Sequence, residues 1–211
     1  MIKIENTSIY GWESAIRGMR NPMNSWEKSD SIIDHIGLVE IGENDLKLMQ
    51  QLVKAGTDHS KFMRMITVTV DITAPLYWWK EFDTYKVGTV RNSCSTMHKI
   101  HEKEFTINDF SHEHLSMYND EVLKDIVCAL NRARSEYLIS ADAYKKIWWW
   151  QLIQLLPSSY NQRATVQLNY AVLRNMYHSR KNHKLDEWRE GFCKWVESLP
   201  YSELITEGGE K

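Results

Sequence analysis

The run Met65-Ile66-Thr67-Val68-Thr69-Val70-Asp71-Ile72 limits the folds open to this chain more than any other stretch. It alternates apolar and polar residues and is rich in β-branched side chains. These pack well on a pleated surface and lose rotamer freedom in a helix. It predicts a strand with one buried face. Pro75 follows, suited to the first turn of a helix.

Most of the remaining pattern reads as helix. Leu46, Met49, Gln50, Leu52 and Val53 form a short stripe that stops at Gly56. Leu76 to Tyr85 reads as a helix of aromatic and charged residues, and Val87 to Ser95, with its Gly, Asn and Ser, as a loop. Val122, Ile126, Ala129, Leu130 and Ala133 recur at helical spacing. Ile147 to Leu156 reads as a buried helix ending before Pro157. Val166 to His178 and Leu185 to Leu199 predict two more, the second closed by Pro200. Four prolines and nine glycines in 211 residues lean the same way. The expected fold class is α+β, a small antiparallel sheet packed with a mostly helical part. No break in composition marks a boundary, so residues 1–211 are expected to form a single domain with a weakly ordered tail from Thr206 to Lys211.

Charge and cysteine content narrow the function. Lys and Arg number 26 against 28 Asp and Glu, a net charge of -2. Such a chain has no bulk electrostatic attraction for a nucleic-acid polymer or an anionic membrane. Cys94, Cys128 and Cys193 are odd in number and widely spaced, which argues against a disulfide framework. The N-terminal MIKIENTSIYGW lacks the apolar core of a signal peptide. The stretch Ile147 to Leu156 is interrupted by Gln151 and Gln154 and is short of the roughly 20 residues that span a bilayer. The expected location is cytoplasmic, the host cytoplasm if the protein is virus-encoded.

Two segments are dense in chemistry-bearing residues. Lys86 to His98 holds Lys86, Thr89, Arg91, Ser93, Cys94, Ser95, Thr96 and His98. Hydroxyls and loop amides beside cations can hold a phosphate, although a solvated loop has the same composition. Asn169 to His183 places Asn169, Arg180 and His183 on or just after a helix with an apolar stripe at Val166, Val172, Leu173 and Met176. Arg180 can fork onto a phosphate or carboxylate. Cations at a helix end also complement its dipole without any ligand. His98 with His101, and His112 with His114, lack fitting Cys, Asp or Glu partners, and an i,i+2 pair does not share a helix face. No metal site is expected. Cys94 is open to two readings, a nucleophile near Lys86, Arg91 and His98 or a small hydrophobe. Neither GxxxxGKS/T nor GxGxxG occurs. Trp148, Trp149 and Trp150 point three ways on a helix, which favours core packing over base stacking.

In their order along the chain, these segments resemble the flavin-dependent thymidylate synthases (the ThyX family). Gly11 to Arg17 and Asn24-Ser25-Trp26 look like the family's N-terminal helix and the segment after it. His59 to Arg64 sits where the family carries Thr-Pro-Phe-Glu-His; Phe62 matches directly and Arg64 takes the His position. The strand runs into Ala74-Pro75-Leu76 as in the family. Trp79 to His98 occupies the place of the signature Arg-His-Arg-x-x-Ser-x-Asn-Glu-x-Ser-x-Arg. There, Thr84-Tyr85-Lys86 stands at Arg-His-Arg, Thr89 at the first Ser, Ser95 at the second, and Thr96 or Met97 at the final Arg. Leu156-Pro157 resembles the family's Leu-Pro, and Arg163 lies near its Thr-Arg. Asn169 and Arg180 keep the eleven-residue spacing of a flavin-side Asn and a nucleotide-phosphate Arg. His183 lies near a later His, and Glu187-Trp188-Arg189 resembles Gln-Trp-Glu-Ile.

The resemblance implies a homotetramer with active sites between subunits, each binding FAD, dUMP, methylenetetrahydrofolate and NADPH. The implied reaction makes dTMP: NADPH reduces the flavin, the folate methylene passes to uracil C5, and reduced flavin supplies the hydride. On this reading Ser95 and Arg180 are catalytic and hold the nucleotide, with Arg91, Ser93 and Arg163 completing the substrate contacts. Arg64, Tyr85, Lys86, Asn169 and His183 bind the cofactor. Tyr85, and Trp78 or Trp79, are the rings expected near a flavin, and the other rings go to core and subunit contacts. The altered signature leaves two alternatives. One is a related flavin enzyme acting on another pyrimidine nucleotide. The other is a catalytically silent nucleotide-binding or assembly protein with the same fold.

Overall fold

The computed structural model describes residues 2–34 and 39–208. Eight α-helices are described, in order with six strands: β1 (Lys3–Tyr10), α1 (Trp12–Arg20), β2 (Ile32–Ile33), β3 (Val39–Glu40), α2 (Glu43–Lys54), β4 (Thr67–Pro75), α3 (Leu76–Phe82), β5 (Val90–Ser93), α4 (Met117–Ile139), α5 (Asp142–Leu155), β6 (Asn161–Asn169), α6 (Tyr170–Arg180), α7 (Cys193–Glu197) and α8 (Glu203–Thr206). Four strands form one sheet in the order β1-β4-β6-β5, and β2 pairs with β3. The α+β expectation holds.

The expected strand is β4, and it behaves as its alternation dictates. Val68, Val70, Ile72 and Ala74 are fully buried, while the residues between them are half-buried. Pro75 ends the strand in an extended conformation, and α3 starts at Leu76. Three expectations need correction. The helix after Pro75 stops at Phe82 rather than Tyr85. The expected loop Val87 to Ser95 contains the edge strand β5. Residues 166–169 belong to β6, where Gln162, Ala164, Val166 and Leu168 are buried between exposed Arg163, Thr165 and Gln167. The positions Val166, Val172, Leu173 and Met176 mix a strand's period of two with a helix's period. Asn169 marks the switch, its side chain accepting from the Val172 amide at 3.0 Å.

The described chain divides into two compact units. The first comprises residues 1–3, 72–84 and 92–164. Its core packs Ile100, Phe105 and Phe110 against Leu123, Leu130 and Ala133 of α4 and Leu152 of α5. Trp78, Trp79 and Phe82 form a second buried cluster with ring centroids 4.9–5.2 Å apart. The Trp79 indole donates to the Gln162 carbonyl at 2.9 Å. These two Trp rings lie in the core rather than at a surface a flavin could reach, against the expectation.

The Ile147 to Leu156 helix is real but is not buried. Leu152 is the one buried residue of α5, whereas Ile147 is 54% exposed and Trp150 43%. A helix that is apolar all round carries no sequence signal for which face is covered. The three tryptophans do diverge. Trp148 packs on the core, half-buried Trp149 donates to the Met97 carbonyl at 2.8 Å, and Trp150 points to solvent.

The second unit comprises residues 4–71, 85–91 and 165–211. Met49, Met63, Ile66, Leu173, Trp188, Phe192, Val196 and Ile205 are fully buried. Trp12 meets Tyr170 and Tyr201 edge-on at 5.2 and 5.3 Å, and the Tyr170 hydroxyl donates to the Pro200 carbonyl at 2.6 Å. Gly11 opens α1 at φ 90°, where a Cβ would lie 2.1 Å from the Met65 carbonyl oxygen, so no larger residue fits. A buried ion pair joins α1 to α2: Arg20 Nε donates to Asp45 Oδ1 at 2.7 Å. The other Asp45 oxygen accepts from the Ser29 and Ser31 hydroxyls at 2.6 Å. Of the tail expected to be weakly ordered, residues 206–208 are described, and Arg174 donates to the carbonyls of Glu207 and Gly208. Residues 209–211 lie outside the described residues.

Candidate functional site

Within the second unit, Tyr85 and Arg180 meet although 95 residues separate them in sequence. Arg180 ends α6, and its Nε donates to the Tyr85 hydroxyl at 2.9 Å. The guanidinium carbon lies 5.4 Å from the Tyr85 ring centroid and 4.9 Å from that of Trp188. Both are within the range at which an aromatic face attracts a cation. The two rings stand edge to face, 6.4 Å apart.

Trp188 is delivered by a π-helical turn, Glu187–Phe192, which runs into α7. Such wide turns are rare and are frequent at functional sites. The indole is fully buried and packs on Phe192 at 5.2 Å. His183 lies 6.4 Å from the same ring, and its Nδ1 accepts from the Leu185 amide at 3.1 Å. Three residues singled out from the sequence, Tyr85, Arg180 and His183, thus surround one tryptophan. The sequence places Trp188 in a stretch that resembles Gln-Trp-Glu-Ile without indicating a role for it, because sequence alone does not show what a ring lies beneath.

Asn169 stands at the other end of α6 as its N-cap. Its amide nitrogen lies 3.1 Å from the position a Cβ on Gly88 would take. Thr89 donates to the Tyr85 carbonyl, closing the turn between them. Lys86 and Arg64 are exposed, Arg64 at the end of the 3-10 turn Lys61–Arg64, and Arg91 is half-buried on β5.

The remaining candidates belong to the first unit. Ser93 ends β5. The Cys94 amide donates to the Arg163 carbonyl at 2.9 Å, and its carbonyl accepts from the Gln162 side chain at 2.6 Å. The Ser95 hydroxyl accepts from the Met97 and His98 amides at 3.2 and 3.1 Å. It therefore shapes its turn as an acceptor while keeping an O–H to donate. The Arg163 side chain is exposed.

Other features carry less. A concavity of about 460 Å³ in the second unit is lined by Trp12, Trp195, Tyr201 and neighbours, with no cation and none of the candidate residues among them. Among the described residues no group of three or more His, Cys, Asp or Glu side chains is placed to hold a metal. His112 faces Asp120 at 3.3 Å. No helix among them is long and apolar enough to cross a membrane.

The fold is that of the flavin-dependent thymidylate synthases. The chain superposes on the Helicobacter pylori enzyme ThyX complexed with FAD and dUMP at a TM-score of 0.69 and 17% identity, covering 98% of each chain. A second structure of that enzyme with FAD and dUMP gives 0.69 at 16% identity, again over 98% of each. A UMP/dUMP methylase, PolB from Streptomyces cacaoi, bound with 5-Br dUMP, gives 0.60 at 15% identity over 98% of this chain and 95% of that one. No protein-family model and no curated protein matches the chain.

Proposed function

We propose that the chain is a flavin-dependent methyltransferase that converts dUMP to dTMP, with methylenetetrahydrofolate as carbon donor and NADPH as reductant of FAD. The observation that supports it most is the aromatic-framed Arg180, at the end of a helix opened by Asn169, in a fold shared over nearly its whole length with structures holding FAD and dUMP. The donor set fits a dinucleotide cofactor and a nucleotide. Exposed Arg64 and Lys86 supply charge for phosphates, and the Tyr85 ring offers a face.

Each residue then has a binding or orienting task. Arg180 and Arg163 hold substrate anionic groups, and Arg91, Ser93 and Ser95 add contacts to the nucleotide. The Ser95 hydroxyl, whose oxygen accepts from the Met97 and His98 amides, donates a hydrogen bond to the pyrimidine. Asn169 and His183, with Arg64, Tyr85 and Lys86, position the flavin, whose reduced form supplies the hydride that completes the methyl group. No cysteine nucleophile is required, since orientation and polarisation of the pyrimidine carry the protein's share of the catalysis. The active species is a cytoplasmic homotetramer with sites between subunits. The uncovered apolar face of α5, with Tyr144, Ile147, Trp150 and Leu155 exposed, is the surface that supports this assembly.

A second reading is favoured by the match to a UMP/dUMP methylase: the same chemistry on another pyrimidine nucleotide. Purified protein should take up FAD, show flavin absorbance in the visible, and release tritium from 5-tritiated dUMP when given the folate and NADPH. Release from UMP in place of dUMP selects the second reading. Colourless protein that takes up no added FAD rejects both and leaves a silent binding module.

A further inference from the structure

Resting on the reading of Ser95 as a substrate contact, we infer that Trp149 is a positioning residue that aims the Ser95 hydroxyl at the pyrimidine. The link is a single peptide group, the one joining Met97 to His98. Its N–H, from His98, donates to Ser95 Oγ at 3.1 Å, and its C=O, from Met97, accepts from the Trp149 indole at 2.8 Å. A trans peptide is planar, with its N–H and C=O pointing in opposite directions, so the plane cannot turn without disturbing both bonds. Acceptance from the indole also polarises the peptide and strengthens the donation to Ser95.

A serine hydroxyl has two acceptor lone pairs and one hydrogen. The Met97 amide, at 3.2 Å, and the His98 amide draw on the acceptors, and the hydrogen is left to donate. Where it points follows from where those two amides lie. The segment is anchored on both sides of Ser95 within the first unit. Upstream, the Cys94 amide donates to the Arg163 carbonyl at 2.9 Å, and the Cys94 carbonyl accepts from the Gln162 side chain at 2.6 Å. Downstream, Trp149 stands on α5, whose Leu152 and Trp148 pack into the core with α4. Met97 and His98 are themselves exposed, so the indole bond rather than burial holds their peptide. Trp149 therefore acts through Ser95.

The test measures dissociation constants for dUMP and for 2-deoxyribose 5-phosphate, which lacks the base, in protein supplied with FAD. Melting temperature checks that each variant folds. The variants are Ser95→Ala, Trp149→Phe, Trp149→His, and Ser95→Ala combined with Trp149→Phe. Trp149→Phe removes the indole N–H, whereas Trp149→His keeps an N–H at the same place in a five-membered ring. Ser95→Ala loses one hydrogen bond, so dUMP affinity should fall about 3- to 10-fold. Trp149→Phe should cost about 2- to 5-fold, and Trp149→His should restore most of that. Adding Trp149→Phe to Ser95→Ala should cost nothing more. Affinity for 2-deoxyribose 5-phosphate should be the same throughout. Equal losses for both ligands, equal losses in the Phe and His variants, or additive losses in the double variant would overturn the inference. If Ser95→Ala weakens dUMP binding and Trp149→Phe does not, this inference alone fails. If Ser95→Ala changes nothing, the assignment of Ser95 fails with it. If the wild type binds no pyrimidine nucleotide, the functional reading fails as well.

Discussion

The Asn169 side-chain nitrogen lies 3.1 Å from where a Cβ on Gly88 would sit, so the turn after Tyr85 and the start of α6 touch through a residue that has no side chain. Gly88 also has a φ of +77° and would bring its Cβ to 3.0 Å from Val172 Cγ2. Gly88→Ala should destabilise the protein by about 1–2 kcal/mol from the left-handed backbone alone. Displacing Asn169 should also weaken FAD uptake. Thermal unfolding and flavin titration measure the two effects separately, and unchanged FAD affinity would remove Asn169 from the cofactor site.

Asp45 is a structural acid. Burial opposes its ionisation, but hydrogen bonds from Ser29, Ser31 and Arg20 and the Arg20 charge outweigh that cost and hold its carboxyl below the usual range. A lowered folded-state pKa gives stability that is present above the unfolded value, about 3.9, and is lost as pH falls through the folded one. Asp45→Ala, which leaves Arg20 buried and unpaired, should cost about 3–5 kcal/mol near neutrality. The loss should shrink in acid below both pKa values. A loss independent of pH would mean the ion pair contributes only by packing.

The three thiols should separate by reactivity. Cys94 and Cys128 are exposed, whereas Cys193 is 2% exposed and burial pushes its thiol up to about 12. Iodoacetamide on native protein at pH 8 should therefore label two cysteines and spare the third, with mass spectrometry of peptides as the readout. If alkylation at Cys94 leaves methyl transfer intact, Cys94 has no nucleophilic role.

The apolar face of α5 should mediate self-association. Ile147→Lys introduces a charge at a position 54% exposed in the single chain, so the monomer fold should tolerate it. Light scattering should then show a smaller species than the wild type at the same concentration. Equal masses would place the subunit contacts elsewhere.

Much of the architecture was readable from local pattern. The Met65–Ile72 alternation predicted β4, the stripe ending at Gly56 predicted α2, and Val122 to Ala133 predicted α4, because one buried face leaves a periodic record. Strand β1 left none, since Lys3–Tyr10 mixes half-buried and exposed residues without clean alternation. Strand β5 was obscured by the Gly, Asn and Ser around it. Residues 166–169 carry a helical pattern in the sequence because a strand and a helix meet at Asn169 with apolar residues on both sides. Of the site, the residue types and the spacing of Asn169 and Arg180 were legible, and so was the match of Tyr85 to a signature position.

By itself, then, the sequence determined the α+β class, the near-neutral charge suited to small anionic ligands, and the order of segments that resembles a flavin-dependent synthase. Only the tertiary structure decided that Tyr85 and Arg180 form a hydrogen-bonded pair and that Trp188 lies against the guanidinium. The physical reason is that such a contact depends on where a loop, a helix and a π-helical turn come to rest against one another. Pairing across 95 residues leaves no periodic trace in a single chain. The same holds for the aromatic rings: their number was plain from composition, but burial alone sorted Trp78 and Trp79 into the core and left Trp150 on the surface.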